Sequence, residues 1–199
     1  MPSDVEIANR ALQKLGEARI SSLEDNIKAA REMKAAYSIV RNAELRAHRW
    51  NFAIKRVSLP ALSSVPAHTF NQEFQLPSDC LRVLEVGNVR LDLGGIDYRT
   101  GMESLFQIEG RKILSDLSAP LPIRYVYEVT DSGQFDACFV DSFACRLAIE
   151  TCEALTQSTS KKQEIKRDYM RSIRAAKLTD AIENPPEGLA ASTLELARL

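Results

Sequence analysis

A helical repeat and a strand-like repeat meet at Arg49-Trp50-Asn51-Phe52-Ala53, and this junction constrains the fold more than any other stretch of the chain. Upstream, Ala29, Met33, Ala36, Val40, Ala43, Ala47 and Trp50 recur at alternating steps of four and three, which is one helical stripe. Downstream, Phe52, Ile54, Val57 and Leu59 read as a strand that ends at Pro60. The period changes within a few residues, so a helical part must abut a β part here. The only tryptophan of the protein sits at the change. A side chain of that size at such a place is expected in the core.

The helix that reaches the junction is expected to start after Ser21 or Ser22. Its opposite face, with Lys28, Arg31, Glu32, Arg41, Glu44 and Arg46, is expected to be solvated. An earlier helix has a start and a stop. Ser3 and Glu6 have capping-box spacing, Val5, Ala8, Ala11, Leu12 and Leu15 form its apolar stripe, and Gly16 supplies the left-handed C-terminal position.

Beyond the junction, Ala61–Asn71 reads as a loop with Pro66 and His68. Phe74-Gln75-Leu76-Pro77-Ser78-Asp79-Cys80-Leu81-Arg82-Val83 then opens a strand-rich stretch, with strand signals from Leu81. Pro77 suits position i+1 of a turn, and Asp79 suits capping of the backbone N–H groups of that bend rather than acid–base catalysis. Gly87-Asn88 marks a two-residue hairpin turn, Gly94-Gly95 a break, and Glu109-Gly110-Arg111-Lys112 a second hairpin. Pro122–Val129 alternates, with Ile123, Tyr125, Tyr127 and Val129 opposite Arg124, Val126 and Glu128. The middle is expected to be a small antiparallel meander or sandwich.

Two helices follow, at about 134–157 and 159–182, separated by Ser158-Thr159-Ser160 and expected to pair as an antiparallel hairpin. The first carries Cys138, Cys145 and Cys152 with Phe139, Phe143, Leu147 and Leu155. Seven residues of helix rise about 10.5 Å, too far for neighbouring thiols to form a disulfide or share one metal ion. They are expected to be small apolar packing residues, reduced in a cytosol. The second helix presents Ile165, Tyr169, Ile173 and Ala176 on one side. Asn184-Pro185-Pro186-Glu187-Gly188 stops it.

Composition excludes several classes. Hydrophobic content of 45%, charged content of 27% and net charge −1 suit a globular protein and argue against a strongly basic nucleic-acid binder. No apolar run reaches the ~20 residues of a membrane helix. The first residues show no basic-then-apolar leader, so the chain is expected to be made and folded in a cytoplasm. The histidines, His48 and His68, stand in no nucleophile, zinc or phosphate-loop motif, and a Cys80–His68 nucleophile pair lacks any orienting motif. No catalytic residue, cofactor or metal ligand is therefore assigned, and the chain is not expected to be an enzyme.

Charge concentrates in Lys161–Lys177, where seven cations (Lys161, Lys162, Lys166, Arg167, Arg171, Arg174, Lys177) and two anions (Glu164, Asp168) leave +5. Three readings stand open: a solvated face, an interface to an acidic partner or adjacent subunit, and a DNA-facing surface. Leu189, Leu194, Leu196 and Leu199 in the last eleven residues favour capture by a partner groove over a tail kept only for solubility.

With the helix pair before them and the helix pair after, the Trp50–Phe52 junction and the Leu76–Val83 string resemble the head-to-tail adaptor family of short-tailed phages, the tail tubular protein A-like connectors. The resemblance covers roughly residues 3–182. It implies an α+β fold: a helical body from 1–51 and 132–183, a β-rich insertion at 52–131 and an extended tail at 184–199. It implies a structural virion protein, made in the host cytoplasm, that forms a homo-oligomeric ring of twelve copies between portal and tail nozzle. The axial channel passes DNA with transient, non-specific contact, and a tail fibre or spike can attach. Trp50 and Phe52 match the junction aromatics, with Pro77 and Asp79 in the entry to the β part. Pro185, Pro186, Leu189, Leu194, Leu196 and Leu199 match the segment that reaches for the portal. Lys162, Lys166, Arg167, Arg171 and Arg174 are candidates for a subunit interface. Two other readings are a head-completion or neck protein of a long-tailed phage, and a cytoplasmic nucleic-acid-binding regulatory module.

Overall fold

Ser3 opens helix α1 (Asp4–Leu15) as its sequence predicts: its hydroxyl accepts the Glu6 N–H at 3.3 Å, and its own N–H donates to the Glu6 carboxylate at 2.7 Å. Gly16 closes the helix at φ +77°, a conformation a Cβ would strain. Ser3→Ala should therefore cost about 1 kcal/mol in urea unfolding, with no change in secondary structure. The computed structural model describes residues 2–87, 89–91 and 105–183; the expected turn residue Asn88, the Gly94-Gly95 break and the tail from 184 lie outside them.

Helix α2 (Lys28–Ala47) is shorter than its stripe suggests, at both ends. Before it, Asn9 donates to the Ile20 carbonyl at 2.9 Å and accepts the Ile20 N–H at 2.8 Å. The Asp25 carboxylate accepts from Ser21 N–H and Ser22 N–H. These local bonds compete with helix formation and delay its start. The buried face of α2 also differs. It holds Ala30, Met33, Tyr37, Val40, Arg41, Glu44 and Leu45, whereas Ala43 and Ala47 are exposed. Alanine offers little area to bury, so Met33, Tyr37 and Leu45 set the helix rotation. That rotation carries Arg41 and Glu44 inside, contrary to their expected solvation.

After a short 3-10 turn at Asn51–Ala53 come β1 (Ile54–Leu59), β2 (Gln72–Gln75), β3 (Cys80–Val86), β4 (Val89–Arg90), β5 (Phe106–Glu109), β6 (Lys112–Ser115) and β7 (Leu121–Tyr127). They form two antiparallel sheets, ordered β1-β7-β3-β4 and β2-β6-β5, so the strands are not a sequential meander. β2 falls in a stretch read as leading up to the strands. Both expected hairpins are present: Val86 pairs Val89 around Gly87, and Glu109 pairs Lys112 around Gly110, each glycine at positive φ. The two sheets bury Leu59, Phe74, Val83, Val86, Ile113, Leu121, Ile123 and Tyr125 in one core.

Helices α3 (Ala137–Thr156) and α4 (Thr159–Glu183) follow, and α4 packs on α3. Asp136 caps α3 by accepting from Cys138 N–H and Phe139 N–H. Cys145 and Cys152 are buried in the helical core, Cys138 packs at its edge, and all four cysteines are free. The protein is thus α+β, with a helical core and a β core. Leu84 and Val126 belong to the helical core, while Val83, Ile123 and Tyr125 belong to the β core. Val126, grouped with polar residues by its alternation, is fully buried because that face of the sheet meets helices rather than water. Arg46 donates to the Leu81 carbonyl and Arg82 to the Arg46 carbonyl at 3.5 Å, tying α2 to β3.

Candidate assembly surfaces

The junction residues come together as expected. Trp50 is 1% exposed, and its Nε1–H donates to the Glu44 carbonyl at 3.0 Å, satisfying an end group of α2. Its ring packs edge-on to Phe139 at 5.0 Å and stacks with Phe52 at 6.1 Å, while Phe52 also meets Phe135 and Phe139. The junction thereby clamps the start of β1 onto α3. His48 is half-buried at the junction: it packs edge-on to Trp50 at 4.7 Å, with Nε2 at 3.3 Å from the Asp180 carboxylate. Burial lowers its pKa, with Asp180 acting in the opposite sense. Asp180 also accepts the Asn51 N–H at 2.8 Å, so the last turn of α4 is fastened to the junction.

Two buried charges stand between α2 and its neighbours. Glu44 accepts the Tyr169 hydroxyl at 2.9 Å and lies 3.4 Å from Arg146 Nε. Burial raises its pKa, with Tyr169 and Arg146 acting against that shift. Arg41 pairs with Glu128, which also accepts from Asn42 at 3.0 Å. The first cluster ties α2 to α3 and α4, and the second ties it to the end of β7.

Pro77 occupies position i of its turn rather than i+1, since the Cys80 N–H donates to the Pro77 carbonyl at 3.0 Å. The Asp79 side chain accepts from its own backbone N–H in that bend but also reaches beyond it. Its carboxylate accepts from Lys55 Nζ at 2.9 Å and Tyr125 OH at 3.1 Å, tying β1 to β7. Burial works against ionisation of Asp79, but these two hydrogen bonds prevail and lower its pKa. Burial, with Asp79 nearby, pushes Tyr125 up to about 12.

Of the basic residues on α4, Lys162 is half-buried and pairs with the exposed Glu153 of α3 at 3.0 Å. Lys166, Arg167, Arg171 and Arg174 are exposed. Only Ile165, Ile173 and Ala176 of this 25-residue helix are buried, so most of its surface faces away from its own body. Sequence reading missed the apolar component of that surface: Met170 is 44% exposed, Leu178 64% and Ile182 70%. Their spacing of eight and four residues places them near Arg174 on one face, opposite the inward stripe Ile165, Tyr169 and Ile173. That complement of the inward stripe was the available signal. The portal-directed candidates Pro185, Pro186, Leu189, Leu194, Leu196 and Leu199 lie outside the described residues.

The arrangement offers little for nucleophilic chemistry. Cys80 and Cys145 are buried, and burial raises both thiol pKa values, away from the reactive thiolate. Among the described residues, no three His, Cys, Asp or Glu side chains are placed to share a metal ion, and no helix is long and apolar enough to cross a membrane. Comparison of the chain with protein-family models and with curated proteins returned no match.

Proposed function

We propose that the chain is a structural protein of a phage virion, a head-to-tail adaptor whose copies assemble into a ring between portal and tail nozzle. The observation that carries this reading is the outer face of α4, where exposed Met170, Leu178 and Ile182 interleave with Arg167 and Arg174, which make no ion pair among the described residues. Large aliphatic side chains exposed along one helix support a protein interface over a merely solvated face. The occupant is a neighbouring copy. The segment Lys161–Lys177 carries +5 and the whole chain −1, so the remaining residues sum to −6 and offer complementary charge. A ring requires such a heterologous contact, in which one face meets a different face of the next subunit.

The apolar interleaving favours this reading over a nucleic-acid module, because phosphates gain nothing from leucine and isoleucine. Sedimentation and negative-stain imaging, of the protein alone and mixed with its portal ring, test the proposal. Rings, or monomers recruited stoichiometrically onto the portal, are expected, and Leu178→Asp with Arg174→Glu should abolish either one while leaving the circular dichroism unchanged. A monomer that ignores the portal but binds DNA at low salt would overturn the reading.

A further inference from the structure

On the sheet face beside the end of α4, Arg56 of β1 pairs directly with Arg124 of β7. Cross-strand neighbours stand about 5 Å apart at Cβ, and like charges placed directly opposite destabilise a sheet. Partial relief comes from β3, where Glu85 is the register partner of Arg124 on the other side. The relief is incomplete: Glu85 Oε2 is 3.7 Å from Arg124 Nε, beyond hydrogen-bond length, and that Nε is buried with no hydrogen-bond acceptor among the described residues. Arg56 is exposed and makes no ion pair among the described residues.

The surface around the pair is concave on both sides. One depression is bordered by Asn51, Ile54 and Glu183, the other by Ser58, Glu85 and Pro122, and Arg56 and Arg124 line both. Two guanidiniums thus share a groove with one carboxylate, Glu85, in the sheet. Glu183 at the rim is exposed, so water weakens its competition.

We propose that this groove is an oxyanion site that binds a phosphate group between Arg56 and Arg124. A tetrahedral oxyanion bridging two guanidiniums turns their repulsion into charge-assisted hydrogen bonds. The group can come from free phosphate or from a nucleic-acid backbone; the chemistry at the arginines is the same. The site does not depend on the adaptor reading.

The test compares the full-length chain in sodium phosphate and in sodium chloride at equal ionic strength and pH, by thermal unfolding and by calorimetric titration with phosphate. Phosphate should raise the unfolding midpoint. Arg56→Gln should weaken phosphate binding about tenfold or more, as expected for loss of a charged hydrogen bond, without lowering the midpoint in chloride. Glu183→Gln should tighten binding. A second arm titrates a short duplex DNA: competition with phosphate, lost in Arg56→Gln, identifies a backbone phosphate as the source, and its absence identifies the free anion. Equal midpoints in both salts with no DNA competition would overturn the site, as would a phosphate effect undiminished in Arg56→Gln.

Discussion

Trp50→Ala is expected to lower the unfolding free energy by about 3–5 kcal/mol, the largest effect of any single substitution considered for this protein. The side chain is 1% exposed and lies against Phe52 and Phe139, so truncation opens a cavity that three elements border. It also removes the donor that satisfies the Glu44 carbonyl at 3.0 Å, near the end of α2. Trp50→Phe separates the two contributions: it keeps much of the ring packing and loses the hydrogen bond, worth about 1 kcal/mol. Urea unfolding followed by circular dichroism reads both, since the alanine and phenylalanine variants carry no tryptophan. In the wild type, fluorescence of this residue reports the junction itself. A loss below about 1 kcal/mol for the alanine variant would mean that the ring does not hold helix to sheet.

The junction was legible because it combines signals that agree: a change of period, a unique large aromatic and a following Phe52. The caps of α1 and the two-residue hairpins were legible for the same reason, as local chemistry dictates them. Other features depend on what lies across a face. Ala43 and Ala47 keep the heptad spacing of α2 but contribute too little area to set its rotation, so Arg41 and Glu44 went inside unannounced. Val126 sits where a half-solvated strand would place a polar residue, and only the helices behind the sheet make that position apolar. The residue types around Asp79 indicated a turn, and a turn is there. Its carboxylate, however, serves Lys55 and Tyr125, partners 24 and 46 residues away that no local rule reaches. The candidate assembly face was half legible: its cations stood out as a run, while Met170, Leu178 and Ile182 could have been found as the complement of the inward stripe and were missed.

Replacing Glu44 by leucine is expected to cost about 1–3 kcal/mol, the penalty for a buried polar group left without its partner. The orphan is the Tyr169 hydroxyl, which donates to this carboxylate at 2.9 Å; Arg146, more exposed, can turn to water. Adding Tyr169→Phe to the leucine variant should recover much of the loss, because the apolar pair then leaves no unmet donor, and the double-mutant cycle measures that coupling. Glu44→Gln asks a different question. Burial raises the Glu44 pKa, so the folded state binds its proton more tightly than the unfolded chain does. The contribution from the protonated form is therefore complete below the ordinary value of 4.5 and is lost as pH rises through the raised folded value. Glutamine keeps an acceptor for Tyr169 and has no proton to lose. Urea unfolding from pH 4 to pH 8 should show wild-type stability falling relative to the glutamine variant across that window. Parallel pH profiles for the two proteins would mean that the carboxylate ionises as freely inside as in water, and that Tyr169 and Arg146 fully offset its burial.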